Sequence, residues 1–411
     1  MANSLQKKFG QSSWRIATRE VEACVTETGG HLGPITFRIR KKKIQPFAIA
    51  PWAEEKIPKN LPAVLKVLQG DFFAMPFGGN ETAFKGEHHL PHGETANAKW
   101  KCESIGADNL HLSLKTKVRS GRVDKHIFLR AGHTAVYQRH IITNMKGAMS
   151  LGHHAMLQFP TAAGSGRLST SRFLRGHVAP LPLENSADLG RSFLKSGSVF
   201  RSLEKVPTQN GDWTDLSIYP ARRGFDDLVL LEADIRQPLA WTAVTFPTKG
   251  YVWFALKDPR VLRQTILWMS NGGRRYAPWN RRHINVIGLE EVTSYFHYGL
   301  AESAKRNSLT TNGAQTCHHL QTKKPLVVNY IMAVAAIPSR FDRVAKILPA
   351  SDKQSVRLIS QSGKSVNVLL ALEFLGEIGA QASRMRVSIL SDSTTRRRDA
   401  CAPKDCAPIK T

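Results

Sequence analysis

Residues 110–118 read Leu-His-Leu-Ser-Leu-Lys-Thr-Lys-Val, with apolar side chains at positions 110, 112, 114 and 118. A period of two is typical of a β-strand that buries one face. The stretch 125–142 repeats the alternation on either side of Gly132, and this pattern predicts a hairpin.

Further short apolar runs, bounded by Gly, Pro, Asn or Asp, follow along the chain, whereas helical periodicity is scarce. They span residues 228–233, 239–246, 251–256, 265–269, 284–289 and 326–337. Many strands without intervening helices favour packed antiparallel sheets. The sequence therefore predicts an all-β protein, a large antiparallel β-sandwich.

The length and composition fit one large domain with extensions. Of the 411 residues 42% are hydrophobic, which is enough for a substantial core. We expect a flexible N-terminus at 1–13 and a β-sandwich domain at 14–376, with 338–376 as its closing strands. The composition turns polar and basic beyond Gly376, so we expect a disordered basic tail at 377–411.

The formal net charge of +26 directs attention to anionic partners. The basic residues are dispersed, and none of their clusters belongs to a zinc-finger, helix-turn-helix or RNA-binding motif. We therefore do not expect a nucleic-acid partner, and the charge favours an acidic or phosphorylated small molecule. A basic polyanion-binding protein that uses Arg38–Lys43 and the tail remains an alternative.

Cysteine usage and the N-terminal sequence bear on compartment. The five cysteines have no short metal-ligand spacing and suggest no disulfide framework. The first thirty residues contain no continuous apolar segment, so we expect neither a secretory signal nor a membrane anchor. A cytoplasmic location is the simplest expectation.

Three polar segments beside strand-like runs suggest acid-base chemistry. They are His88-His-Leu-Pro-His-Gly-Glu94, Leu151-Gly-His-His-Ala-Met-Leu157 and Gly288-Leu-Glu-Glu-Val-Thr-Ser294. Imidazole titrates near neutral pH, and a carboxylate can accept a proton from a hydroxyl. Histidines and a carboxylate that converge from distant strands would form a proton-transfer site.

Each of the two doublets, His153-His154 and Glu290-Glu291, can place only one side chain in a given pocket, because neighbours on a strand point to opposite faces. A carboxylate at the end of a buried strand costs free energy unless it is paired or used. The glutamates are therefore the strongest catalytic candidates. A histidine bonded only to backbone remains the alternative for His153 and His154.

Other residues are candidates for holding a ligand. The loop histidines His89 and His92 suit sugar hydroxyls, Trp268 offers a flat apolar platform, and Asn271 and Arg274 suit hydroxyls or an acidic group. The histidines lack metal-ligand spacing, and no nucleotide or dinucleotide fingerprint is present, so we expect neither a metal nor a cofactor.

The order of motifs over roughly residues 26–337 resembles the galactose mutarotase-like superfamily, which includes the aldose 1-epimerases. The resemblance is carried by Gly29–Ile35, Gly70–Asn80, His92-Gly93 followed by Trp100, Gly152–Leu157, Leu289–Ser294 and Leu309–Ala314. It implies a mutarotase-like sandwich with a sugar pocket that the segment ending at Asn80 enters. Asn80 is thereby a further substrate-binding candidate.

The resemblance also implies a mechanism. In the family a glutamate takes the proton from the anomeric hydroxyl and a histidine protonates the ring oxygen. This assigns the base to Glu290, with Glu291 as second choice, the acid to His153 or His154, and hydroxyl binding to His92. The family's Asn-Arg pair is absent, since Gly-Gly-Asn-Glu stands at 78–81, so a non-catalytic carbohydrate-binding protein is the alternative.

Overall fold

The computed structural model describes residues 5–58, 60–184, 186 and 188–376, and the predicted tail at 377–411 lies outside them. The first half of the described chain contains strands β1 Gln6–Lys8, β2 Gln11–Ala17, β3 Val21–Thr26, β4 Leu32–Ile39, β5 Lys42–Ile44, β6 Phe73–Ala74, β7 Lys101–Ile105, β8 Asn109–Thr116, β9 Gly121–Phe128, β10 Ala135–Thr143, β11 Gly147–Met149, β12 Leu151–His153, β13 Ala155–Gln158, β14 Gly166–Thr170 and β15 Phe173–Val178.

The second half contains β16 Val199–Phe200, β17 Val206–Pro207, β18 Trp213–Thr214, β19 Ile218–Tyr219, β20 Asp226–Ala233, β21 Ala240–Phe246, β22 Tyr251–Lys257, β23 Gln264–Ser270, β24 Val286–Thr293, β25 His318–Leu320, β26 Leu326–Ala336, β27 Val344–Pro349, β28 Ser355–Ser360 and β29 Ser365–Leu369. The α-helices are α1 Ala63–Lys66 and α2 Leu300–Ala304, and 3₁₀ turns lie at Glu94–Ala96, Pro247–Lys249, Thr310–Asn312 and Leu372–Leu375. Strands β1 and β2 begin inside the segment expected to be flexible.

Two large antiparallel sheets form the body of the fold. One has nine strands in the order β19-β14-β21-β22-β26-β10-β9-β8-β7, and the other has eight, β16-β15-β20-β23-β24-β12-β6 with β13 paired to β24. Strands β1 to β5 form a further sheet. Strands β9 and β10 pair as the predicted hairpin, with Tyr137 opposite Phe128. The predicted all-β sandwich is confirmed.

The main hydrophobic core fills the space between the two large sheets, where Leu112, Trp253 and Leu289 are fully buried. Burial of one such aliphatic side chain stabilises the fold by roughly 1.5–3 kcal/mol. The second face of the nine-stranded sheet is covered by β27 to β29 and the turn at Leu372–Leu375. The predicted closing strands thus form a separate three-stranded sheet packed on the outside.

Loops cover the outer face of the eight-stranded sheet and bury a third apolar cluster there. Trp52, Phe72 and Trp279 come from these loops, and Ile266 and Trp268 come from β23. Because both faces of β23 and β24 are covered, every residue of the two strands is buried. This covered face carries the candidate site.

The helices in the described part of the chain are all too short or too polar to cross a membrane.

Candidate functional site

Strand β24 places the two neighbouring glutamates on opposite faces of its sheet. Glu291 points into the core between the sheets, where it forms an ion pair with Lys257 of the opposite sheet. Its carboxylate also accepts hydrogen bonds from Thr242 (2.6 Å) and Thr265 (2.7 Å). Glu290 points outward, toward the loops, and is 2% exposed. Glu291, the second choice for the base, therefore belongs to a buried pair that joins the two sheets.

The histidine doublet divides in the same way. His153 lies in the inter-sheet core, with its Nδ1 2.9 Å from Asp71 Oδ2 and its ring stacked on Tyr330. Gln138 donates to the same Asp71 oxygen at 2.6 Å. The backbone N–H of His154 donates to the other, Oδ1, at 3.0 Å, while the His154 ring faces the loops. One carboxylate thus positions both histidines.

His154 and Glu290 meet at a cavity of about 140 Å³ on the outer face of the eight-stranded sheet. His154 Nε2 lies 3.1 Å from Glu290 Oε1. The cavity is lined by Pro62, Val64, Leu65, Leu68, Phe72, Pro91, His92, His154, Leu183, Leu228, Trp268, Arg274, Trp279, Glu290 and His297. The structure brings together one member of each doublet.

Two indole rings and a guanidinium form one wall of the cavity. Trp268 and Trp279 pack edge to face at 5.8 Å, and the guanidinium of Arg274 lies over both rings. Arg274 Nε also donates to Glu184 at 2.8 Å. Gly288 makes room for this wall, since a Cβ there would lie 2.7 Å from the carboxyl oxygen of Glu290.

Loop histidines close the cavity beside His154. The His92 ring lies edge-on to the His154 ring at 5.2 Å. His92 and Gly93 both have positive φ, and a Cβ on Gly93 would overlap the carbonyl oxygen of Met75, so glycine is required there. His297, which was not among the residues predicted from the sequence, also lines the cavity. Its position just after the glutamate strand was the available signal.

Burial sets the protonation of the central pair. It raises the pKa of Glu290 well above its usual value, with the charge of Arg274 opposing this shift. It lowers the pKa of His154 to about 3 and that of His297 to about 4. Desolvation thus favours the uncharged form of each partner, the carboxylic acid of Glu290 and the neutral imidazole of His154.

Three predicted ligand-binding residues lie elsewhere and serve the fold. The Asn80 amide donates to the carbonyl groups of Pro76, Gly78 and Leu90. The Asn271 side chain donates to Ala221 O and accepts from the backbone of Asn285. His89 Nε2 lies 2.9 Å from Glu87, which also pairs with Arg119. None of the three lines the cavity.

Within residues 5–58, 60–184, 186 and 188–376, no group of three or more His, Cys, Asp or Glu side chains is arranged to hold a metal ion. The expectation of a site without metal or cofactor stays a prediction.

Comparisons with known proteins place the fold. No family model matches the sequence. No curated protein matches it either. Among solved structures, the chain resembles a galactose mutarotase related enzyme from Lactobacillus acidophilus, with 12% identity and a TM-score of 0.52 over 79% of this chain and 97% of the other.

Two further structures are each described as a "putative aldose 1-epimerase". The one from Escherichia coli K12 is 14% identical, with a TM-score of 0.53 over 80% of this chain and all of the other. The one from Klebsiella pneumoniae is 13% identical, with a TM-score of 0.53 over 80% and 81% of the two chains. The chain has a galactose mutarotase-like fold, as the motif order implied.

Proposed function

We propose that the protein is an aldose 1-epimerase-type isomerase that interconverts the anomers of a sugar. The observation that carries this proposal is the 3.1 Å approach of His154 Nε2 to Glu290 Oε1 inside a pocket with indole walls. Aromatic faces suit the C–H faces of a sugar ring, and the carboxyl-imidazole pair suits proton transfer at its anomeric centre.

The reaction needs one proton removed and one delivered. Glu290, as carboxylate, takes the proton of the anomeric hydroxyl, and His154, as imidazolium, gives its proton to the ring oxygen while the bond between the anomeric carbon and that oxygen breaks. The open-chain aldehyde turns about its first carbon-carbon bond and closes by the reverse steps. His92 and His297 hold hydroxyls beside the pair.

The resting protonation is compatible with these roles. The neutral pair and the ionised pair contain the same number of protons, so transfer of the Glu290 proton to His154 creates the reactive form without uptake from solvent. Hydroxyl groups of a bound sugar would stabilise the ionised form by hydrogen bonds. Glu290 is the base and His154 the acid in this proposal.

The alternative is a carbohydrate-binding protein without catalysis. It is favoured by the same burial, since a carboxylic acid and a neutral imidazole also serve as plain hydrogen-bonding groups. A cytoplasmic location and a preference for acidic or phosphorylated sugars stay predictions of the sequence. The second would rest on Arg274, the one Lys or Arg among the described residues that line the cavity.

The approach to anomeric equilibrium of freshly dissolved aldoses, followed by NMR with and without the protein, tests the proposal. We expect acceleration for at least one sugar and its loss in Glu290→Gln, with binding retained. Binding without acceleration would reject the isomerase in favour of the binding protein.

A further inference from the structure

The wall of the cavity is mostly apolar. Of the fifteen described residues that line it, ten are apolar, indole rings included: Pro62, Val64, Leu65, Leu68, Phe72, Pro91, Leu183, Leu228, Trp268 and Trp279. Apart from the indole N–H of Trp268, which has no hydrogen-bond partner, this wall offers a hydroxyl no hydrogen bond in return for those it gives up to water. Each hydroxyl on that side of a sugar would therefore weaken binding.

Three of the groups that can bind hydroxyls form one cluster, and the other polar groups of the described lining are His297, Arg274 and the indole N–H of Trp268. His154 lies 3.1 Å from Glu290 and its ring centre 5.2 Å from that of His92, so these three side chains cover a single patch. A ligand can direct its anomeric hydroxyl and ring oxygen to this patch. The remainder of its ring then faces hydrocarbon and indole.

The one cation among the described residues of the wall, Arg274, already has partners. Arg274 pairs with Glu184 at 2.8 Å, and Glu184 also accepts a hydrogen bond from Tyr276 at 2.9 Å. The guanidinium carbon lies 4.5 Å from the centre of the Trp279 ring. Glu184 neutralises charge that a phosphate or carboxylate on the ligand would meet at Arg274. The preference for acidic sugars suggested by the net charge of +26 is therefore not expected at this cavity.

The size of the cavity suits a ligand portion of about one ring. An apolar cavity of roughly 150 Å³ holds a benzene molecule, and this cavity measures about 140 Å³. A single six-membered ring would therefore fill this space.

We propose that the ligand is a monosaccharide with few hydroxyls, such as a deoxy or O-methyl sugar, whose apolar side lies against this wall. The inference rests on the proposed function for the reaction, while the binding preference stands on the wall itself. Removal of one hydroxyl that faces the wall should raise kcat/KM and affinity roughly tenfold.

The test compares glucose, its 6-deoxy and 2,6-dideoxy derivatives, and glucose 6-phosphate. NMR line broadening measures binding, and the approach to anomeric equilibrium measures turnover. We expect both to increase with each hydroxyl removed and to be weakest for the phosphate. Equal or stronger binding of glucose or its phosphate would overturn the inference.

The two readouts separate this inference from the proposed function. Preferential binding of deoxy sugars without acceleration would reject the proposed isomerase activity and support the proposed ligand class. Acceleration that is greatest for glucose or its phosphate would support the isomerase activity and reject the proposed ligand class. No binding of any of these sugars removes both.

A pair of variants in one loop supplies the matched control. Leu183 lines the cavity, whereas Leu181 does not and is 61% exposed. Leu183→Asn adds a hydrogen-bonding group to the wall, so it should reduce the preference for deoxy sugars several-fold, and Leu181→Asn should leave it unchanged. An identical preference in the two variants would count against the apolar wall as its source.

Discussion

The two adjacent glutamates of β24 should give opposite phenotypes when each is changed to glutamine. Glu291→Gln removes the nearest anionic partner of the buried Lys257. Breaking a buried pair in this way costs roughly 3–5 kcal/mol of unfolding free energy. The catalytic rate of the molecules that remain folded should stay close to that of the parent, because Glu291 faces away from the cavity.

Glu290→Gln should do the reverse. The amide has the size of the buried carboxylic acid that it replaces, so the unfolding free energy should change by no more than about 1 kcal/mol. The loss of the base should slow anomer interconversion by roughly 10²–10⁴-fold. Denaturant unfolding and NMR anomer exchange on both variants measure the two effects.

An exchange of the two phenotypes between the variants would refute this reasoning. If Glu291→Gln lost the rate at unchanged stability, or Glu290→Gln lost stability at an unchanged rate, the division of the doublet between core and cavity would be wrong.

The remaining predictions concern the histidines, pH and one loop. His154→Asn should lower the rate about as much as Glu290→Gln at unchanged stability, whereas His153→Asn should lower the melting temperature because Asp71 loses a buried partner. The rate should fall as pH rises through the raised pKa of Glu290, since the pair then has no proton to give, and should stay level on the acid side until about pH 3, where His154 gains a second proton. A decline centred near pH 6.5, the value of a free histidine, would contradict this assignment. Gly93→Ala should destabilise the fold by at least about 1–3 kcal/mol, measured by denaturant unfolding, because its φ is positive and a backbone carbonyl occupies the space of the new methyl group.

The fold could be predicted from the sequence because apolar and polar residues alternate in every strand that has one face exposed to solvent. The alternation of apolar and polar residues is weaker in strands with both faces covered, such as β23 and β24, which are buried throughout. There, periodicity cannot tell which face meets the core and which meets a pocket. The doublets His153-His154 and Glu290-Glu291 therefore predicted one inward and one outward side chain without specifying which.

The candidate ligand-binding residues show a second limit of sequence reasoning. Asn80 and His92 are both polar residues of Gly-rich loops, yet only His92 reaches the cavity. The Asn80 amide donates hydrogen bonds to three carbonyl groups of the surrounding loops, because buried backbone oxygens need donors. Such demands arise from the path of the backbone, which the residue types do not reveal.

Asp71 joins the cavity to the seam between the two large sheets. Its carboxylate accepts from Gln138 on the nine-stranded sheet and from the backbone of His154 beside the cavity. The orientation of the His154 imidazole and the packing of the two sheets therefore both depend on the carboxylate of Asp71. Partial loosening of the interface between the two sheets would change the orientation of the His154 ring before the strands separate. Activity should therefore decline at denaturant concentrations that still leave the strands paired.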